Sequence, residues 1–197
     1  MERGMEEEKK IIERVQSGDR LAFKQIVESH KKMVYFLAYD FIGNHQDAED
    51  LSQEVFIKMY NSISKFRGEA KLSTWLRKIT VNLYLDMKRS KLYKTRNMQD
   101  SLEDKEFELN TIQSQTSAEN KTDIKMLRTK VENSLHNLSP KEKTIFVMRH
   151  YQEMKISEIS DSMNIAVGTV KSLLFRSVQK LQQSLAPYRR EFGLEDS

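Results

Sequence analysis

Three carboxylates stand at helical spacing early in the chain: Asp47, Asp50 and Glu54, in the run DAEDLSQEVF (47–56). Residues three and four apart share one side of a helix, so these acids form a ridge. Gln53 and Ile57 sit beside it, while Ala48, Leu51, Val55 and Met59 make an apolar stripe on another side. Such a ridge suits two chemistries. It can hold Mg²⁺ in a hydrolytic site, or grip an arginine-bearing helix of a partner through charge-assisted hydrogen bonds. The first also needs an adjacent base or a glycine loop that cradles phosphate, and the sequence has neither beside it. His30, His45, His136 and His150 are scattered, with no metal-ligand pair at helical spacing. A plain solvated face, whose early acids complement a helix N-terminus, is the third reading. No catalytic residue, metal or cofactor is assigned.

Two further groups point to nucleic acid. The stretch KFRGEAKLSTWLRKITVNLYLDMKRS (65–90) mixes cations with aromatic rings, as single-stranded DNA requires: cations follow phosphates while rings and pockets take unstacked bases. Near the other end lies NIAVGTVKSLLFRSVQKLQ (164–182). There Val170, Leu174, Val178 and Leu181 form a buried stripe, and Ile156, Ile159 and Met163 share one face of a short preceding helix. NIA makes the turn, with Ile165 inward. Thr169, Lys171, Ser172, Phe175 and Arg176 are left on the outer face, the arrangement of a recognition helix in the major groove. Short polar groups and Arg meet base edges and phosphates there, and Phe lies on a thymine methyl. The alternative is a helical hairpin that packs on another protein.

These groups need helices to position them, and the composition provides them. The chain of 197 residues has 6 Gly and 2 Pro, so few breakers interrupt it. Helices are expected at about 6–16, 20–42 and 45–62, stopped by Gly18 and Gly43 and opened by Asp19 and Asn44 or Asp47. Ser73 is expected to cap a fourth. SPKE (139–142) reads as a capping box with proline at the first helical position, opening a helix to about 151. Between these groups, residues 97–123 carry seven acids against two lysines and few large apolar side chains, which predicts a flexible acidic linker. Order is expected to resume at 119–137 with Ile124, Leu127, Val131, Leu135 and Leu138. The fold class is all-α: an N-terminal helical bundle (1–93), a linker (94–118), a C-terminal four-helix helix-turn-helix domain (119–186) and a tail (187–197).

With no cysteine, there is neither a disulfide framework nor a thiolate metal site. The longest apolar run, MVYFLAY (33–39), is far short of the roughly 18 residues that span a bilayer. The start, MERGMEEEKK, has no apolar core of a signal peptide. A cytoplasmic protein is expected.

The spelling of these groups resembles extracytoplasmic-function (ECF) RNA polymerase sigma factors. VGTVKSLLFRSVQKL is similar to region 4, usually GTVKSRLxRAR, through Gly168, Thr169, Val170, Lys171, Ser172, Leu174 and Arg176. Leu173 and Val178 depart where the family usually has Arg, which predicts weaker phosphate contact. D-L-x-Q-E in 50–54 resembles region 2.2. Phe66, Thr74, Trp75, Leu76, Ile79, Asn82 and Asp86 fit regions 2.3 and 2.4, with Leu72 in place of an aromatic.

The resemblance implies an alternative sigma factor without catalytic activity. Its partners are core RNA polymerase (β′ clamp helices and β flap), promoter DNA and an anti-sigma factor. It implies that Asp47, Asp50, Gln53, Glu54 and Ile57 dock the polymerase. Arg67, Gly68, Lys71 and Ser73 in the loop, with Trp75, Lys78 and Asn82 on the helix, would take the −10 element and a flipped base. A lone Trp in a small helical domain is also a natural core residue. Lys88, Arg89 and Lys91 would meet phosphates, and Thr169, Lys171, Ser172, Phe175 and Arg176 the −35 element. The acidic linker would lie in the polymerase's RNA exit path. A free-standing helix-turn-helix regulator with an N-terminal partner-binding domain is the rival reading.

Overall fold

The structure, a computed structural model, describes residues 2–68, 70–99 and 130–188, with side chains placed for 6–68, 70–90 and 130–188. The expected linker and tail thus lie outside the described residues, apart from the ends of the linker at 94–99 and of the tail at 187–188. Among the described residues every regular element is helical: α1 (Glu2–Gln16), α2 (Arg20–Ile42), α3 (His45–Ser62), a 3-10 turn (Ile63–Lys65), α4 (Leu72–Gln99), α5 (130–136), α6 (Pro140–His150), α7 (Ile156–Met163), α8 (Val167–Leu185) and a final 3-10 turn (Ala186–Tyr188). None is long and apolar enough to cross a membrane.

The helix boundaries follow from local chemistry. Gly18, at φ +93°, stops α1, and Asp19 then caps α2 by accepting the N–H groups of Leu21 (2.8 Å) and Ala22 (3.1 Å). The Ala22 N–H bond and the Arg14 guanidinium, 2.7 Å away, hold the Asp19 carboxyl below its ordinary value. Gly43 closes α2 in the left-handed region, and the Asn44 side chain accepts the Asp47 N–H to open α3. Helix α4 begins at Leu72, one residue before the expected cap Ser73. Leu72 is a core residue, 1 % exposed, and its burial draws it into the helix.

Helices α2, α3 and α4 enclose the N-terminal core, with α1 packed on α2. Val34, Leu37, Phe41, Val55, Met59 and Leu76 are fully buried within it. Phe41 stacks on Tyr84 at 4.9 Å, and burial pushes the Tyr84 hydroxyl up to about 12. The C-terminal helices α6, α7 and α8 close around Ile145, Met148, Ile159 and Val170. Leu135, Leu138 and Leu181 form a satellite cluster.

The two cores are continuous. Helix α6 lies against α2 and α4, α7 lies on α4, and Gln152 Nε2 donates to Asp40 Oδ2 at 2.8 Å. Buried close to this junction is Lys143, whose surroundings include Lys88 of α4, Asp40 of α2 and, from the preceding helix, Glu132 and His136. Desolvation and then Lys88 push its ammonium down to about 8, against the opposing pull of Glu132 and Asp40.

Helix α6 opens with both bonds of a capping box. Ser139 N–H donates to Glu142 Oε2 (3.0 Å), and the Glu142 N–H to Ser139 Oγ (3.4 Å). Lys180 of α8 donates to the same Glu142 oxygen at 2.8 Å, so the cap also pins α6 to α8. Burial pushes the Glu142 carboxyl up, but the bonds from Lys180 and Ser139 outweigh it and hold it below 4.5. Its contribution is therefore full above pH 4.5 and is lost as pH falls through the lower folded value. Ser139→Ala should cost about 1 kcal/mol of unfolding free energy at pH 7, with a difference that shrinks below pH 4.5. Urea titrations at the two pH values check this.

Candidate functional site

Along α3 the apolar stripe Ala48, Leu51, Val55 and Met59 is buried, and Asp50, Gln53, Glu54 and Ile57 face solvent one turn after another. Asp47 begins the same ridge but is half-buried, because its Oδ2 accepts Asn44 Nδ2 at 3.1 Å. Among the described residues no three His, Asp or Glu side chains gather as a cation site needs. Beside the ridge lies a feature the sequence reading missed. Val27, Tyr35, Phe36, Gln53 and Phe56 line an open groove of ≈ 520 Å³ between α2 and α3. Phe36 is 57 % exposed there. The available signal was its phase: Phe36 falls between Val34, Leu37 and Phe41, all buried, and is turned away from their side of the helix. Carboxylates next to an apolar groove can seat a helix that carries both arginines and apolar side chains.

The basic and aromatic group divides between loop and helix. Arg67, Gly68 and Lys71 are exposed, with Gly68 at φ +73° supplying the bend, and Ser73 is half-buried in the first turn of α4. Trp75 is half-buried, packed on the core with its ring 5.0 Å from that of Phe66. Lys78 and Asn82 point outward from α4, while Leu76, Ile79 and Val81 point inward. Further along, Arg89 is exposed near Asp86, and Lys88 is half-buried with its Nζ 5.7 Å from the centre of the Tyr84 ring. The Lys91 side chain lies outside the described residues.

In the C-terminal domain, Asn164 takes the left-handed conformation (φ +53°) that ends α7, and Ser160 Oγ donates to the Ile165 carbonyl at 2.6 Å. This turn sets α8 against α7 with Ile165 packed on the core. Val170 and Leu181 are buried, Leu174 and Val178 half-buried, and Ser177 is a buried member that the apolar pattern did not include. Thr169, Lys171, Ser172, Phe175 and Arg176 all face solvent on one side, Phe175 at 64 % exposure. Leu173, at the position where the resemblance leads one to expect an arginine, is half-buried and packed against the core.

Known proteins are similar to this chain over most of its length. Residues 26–92 match Sigma-70 region 2, and residues 128–181 match Sigma-70, region 4. The ECF RNA polymerase sigma factor SigW of Bacillus subtilis is 35 % identical over 185 residues, covering 90 % of this chain and 96 % of that protein. The RNA polymerase sigma-H factor of Pseudomonas aeruginosa is 31 % identical, covering 94 % and 97 %. Among solved structures, CnrH in complex with the cytosolic domain of CnrY shares the fold, with a TM-score of 0.61 at 18 % identity, covering 90 % of this chain and 96 % of that one. The sigma factor RpoE of Bartonella quintana, in complex with the anti-sigma factor NepR, has a TM-score of 0.59 at 21 % identity, covering 83 % and 96 %. The chain belongs to the ECF RNA polymerase sigma factors, a family of non-catalytic transcription-initiation factors, and it acts as an alternative sigma factor.

Proposed function

We propose that the three outward faces divide promoter recognition among them. The α3 ridge, Asp47, Asp50, Gln53, Glu54 and Ile57, docks the clamp helices of the polymerase β′ subunit. Arg67, Gly68, Lys71 and Ser73, with Trp75, Lys78 and Asn82, take the unstacked −10 strand, and Lys88 and Arg89 follow its phosphates. Thr169, Lys171, Ser172, Phe175 and Arg176 read the −35 duplex. Residues 1–93 and 119–186 are the two functional units, working in the cytoplasm where the polymerase is. An anti-sigma factor is a further partner, by analogy with the structural relative solved with one. One observation carries this reading: on α3 and α8 the apolar sides are consumed by the core, while the residues named for docking and −35 reading are left facing solvent, apart from the half-buried Asp47.

The packing adds a consequence. Elements named for positions 25 base pairs apart are separated by roughly 85 Å of duplex at ~3.4 Å per pair. Here α8 packs on α7, which packs on α4, so the two readers lie within a few helix diameters. They cannot occupy both elements in this arrangement, and the domains part on assembly.

Three measurements test the reading. Glu54→Lys should weaken binding to core polymerase at least tenfold with an unchanged melting temperature, and normal affinity would remove the ridge from the interface. Fluorophores on the exposed positions Gln25 and Gln179 should move apart when the polymerase–promoter complex forms, and an unchanged transfer efficiency would refute the parting. At pH 7, Lys143→Met should raise transfer in the free protein, since a depressed ammonium opposes closure until pH climbs through about 8 towards 10.5. Lower transfer in that variant would mean the charge stabilises the closed form.

A further inference from the structure

The loop that carries Arg67 and Gly68 is held from an unexpected side. Gln16, the last residue of α1, lies across from the 3-10 turn Ile63–Lys65. Its Nε2 donates to the Ile63 carbonyl at 2.9 Å and to the Phe66 carbonyl at 3.0 Å. An amide nitrogen has two hydrogens, and both are spent here on the carbonyls that bracket the turn. The turn closes on itself through the Phe66 N–H and the Ile63 carbonyl at 3.0 Å. The Phe66 carbonyl belongs to the peptide that joins Arg67, so the clasp acts on the backbone directly before the bend at Gly68.

A cavity of ≈ 630 Å³ opens between this loop and α1. Glu13 and Gln16 line it from α1, and Phe66, Arg67, Lys71 and Leu72 from the loop side. Its size falls within the ~300–1,000 Å³ of small-ligand pockets. Of its apolar members, half-buried Phe66 keeps ring surface for the face of a base, with the core residues Ile12 and Leu72 beneath it; Arg67 and Lys71 supply cations from the loop side, and Glu6, Glu8 and Glu13 of α1 supply carboxylates opposite. Gln16 itself is exposed, so its tie to the loop rests on these two bonds and little on packing.

We propose that Gln16 is a positioning residue for −10 recognition: it clamps the loop to α1, and α1 forms the second wall of the receptacle for one unstacked base. This rests on the reading that loop 66–73 takes the −10 strand. A side chain that merely completes α1 is replaceable by Glu or Ala, which are good helix formers. A clasp is not. Glu has the same length but turns a carboxylate towards two carbonyl oxygens, and Ala removes the donors without adding repulsion.

The test uses the full chain assembled with core polymerase and a randomised pool of single-stranded DNA 12-mers, read by anisotropy and by sequencing of the retained strands. Gln16→Glu should weaken binding about tenfold and Gln16→Ala about threefold, as expected for losing hydrogen bonds that hold a loop. Both should flatten base preference at one position of the retained strands, while binding to core polymerase is unchanged. Ser17→Glu adds the same charge next door without reaching the carbonyls, and should stay within twofold. If Gln16→Glu and Gln16→Ala match the wild type while Arg67→Ala/Lys71→Ala loses binding, the clasp is refuted and the −10 reading of the loop stands. If Arg67→Ala/Lys71→Ala also binds normally, that reading falls and the inference with it. An equal loss in Ser17→Glu would make added charge the cause and overturn the proposal. Should Gln16→Glu fold poorly, the preference profile of Gln16→Ala decides the matter.

Discussion

Helix α4 has to satisfy more than one neighbour, and the rest of the molecule is arranged around that constraint. Leu72, Leu76, Ile79 and Tyr84 lie in the core that α4 shares with α2 and α3, and the helices of the C-terminal domain lie against it as well. What remains exposed on it is a narrow strip with Lys78 and Asn82, continued by the loop before the helix, the surface proposed above for the −10 strand. A helix packed by more than one neighbour is held rigidly along its length, and rigid support is what a base-reading strip needs. Burial also explains the placement of its aromatic residues. Tyr84 is committed to Phe41, and Trp75 leans on Phe66, so the indole supports the loop from below whatever else it touches.

The same economy governs charge. The outer side of α8, proposed above to read the −35 duplex, carries few cations, and Leu173 is packed against the core. Affinity of an isolated helix-turn-helix for DNA depends heavily on phosphate neutralisation, so such a domain binds weakly alone. A reader delivered by polymerase has a different requirement. Tethering supplies effective concentration, and a weak second contact is enough once the first is made. Sparse charge then limits residence on random DNA, where only the electrostatic component operates.

Much of the helical plan was legible because each signal was local. Gly18, Asp19 and Gly43 act within a few residues of themselves, and the SPKE box forms as read, with both of its bonds. The stripes of α3 and α8 follow from period alone. The departures have non-local causes. Leu72 enters α4 because a core formed by distant helices rewards its burial, and Ser177 is buried although polar because its Oγ finds the Leu174 carbonyl at 2.7 Å. Of the candidate surfaces, the exposed ridge and reading face were visible as patterns of spacing. The groove at Phe36 and the clasp of Gln16 were not, since each needs two helices placed side by side before it exists.

Non-local packing also decides how the closed form bears on activity. The contact between the domains uses α6 and α7, and neither the α3 ridge nor the outer side of α8 is consumed by it. On the functional reading above, closure therefore leaves polymerase docking and −35 reading each physically accessible, and opposes only their use together with −10 recognition across a long stretch of duplex. The opposition is one of distance. Such a junction needs to be only moderately stable, because promoter engagement at two points pulls it open with the binding energy of both. A buried lysine in the shared region suits that balance. Lys143, pushed down to about 8 by desolvation and then by Lys88, lies in that region, and the Gln152–Asp40 bond and the continuous apolar contact join the domains there. An entirely apolar junction would close more firmly, and would then tax every initiation event by the work of parting it.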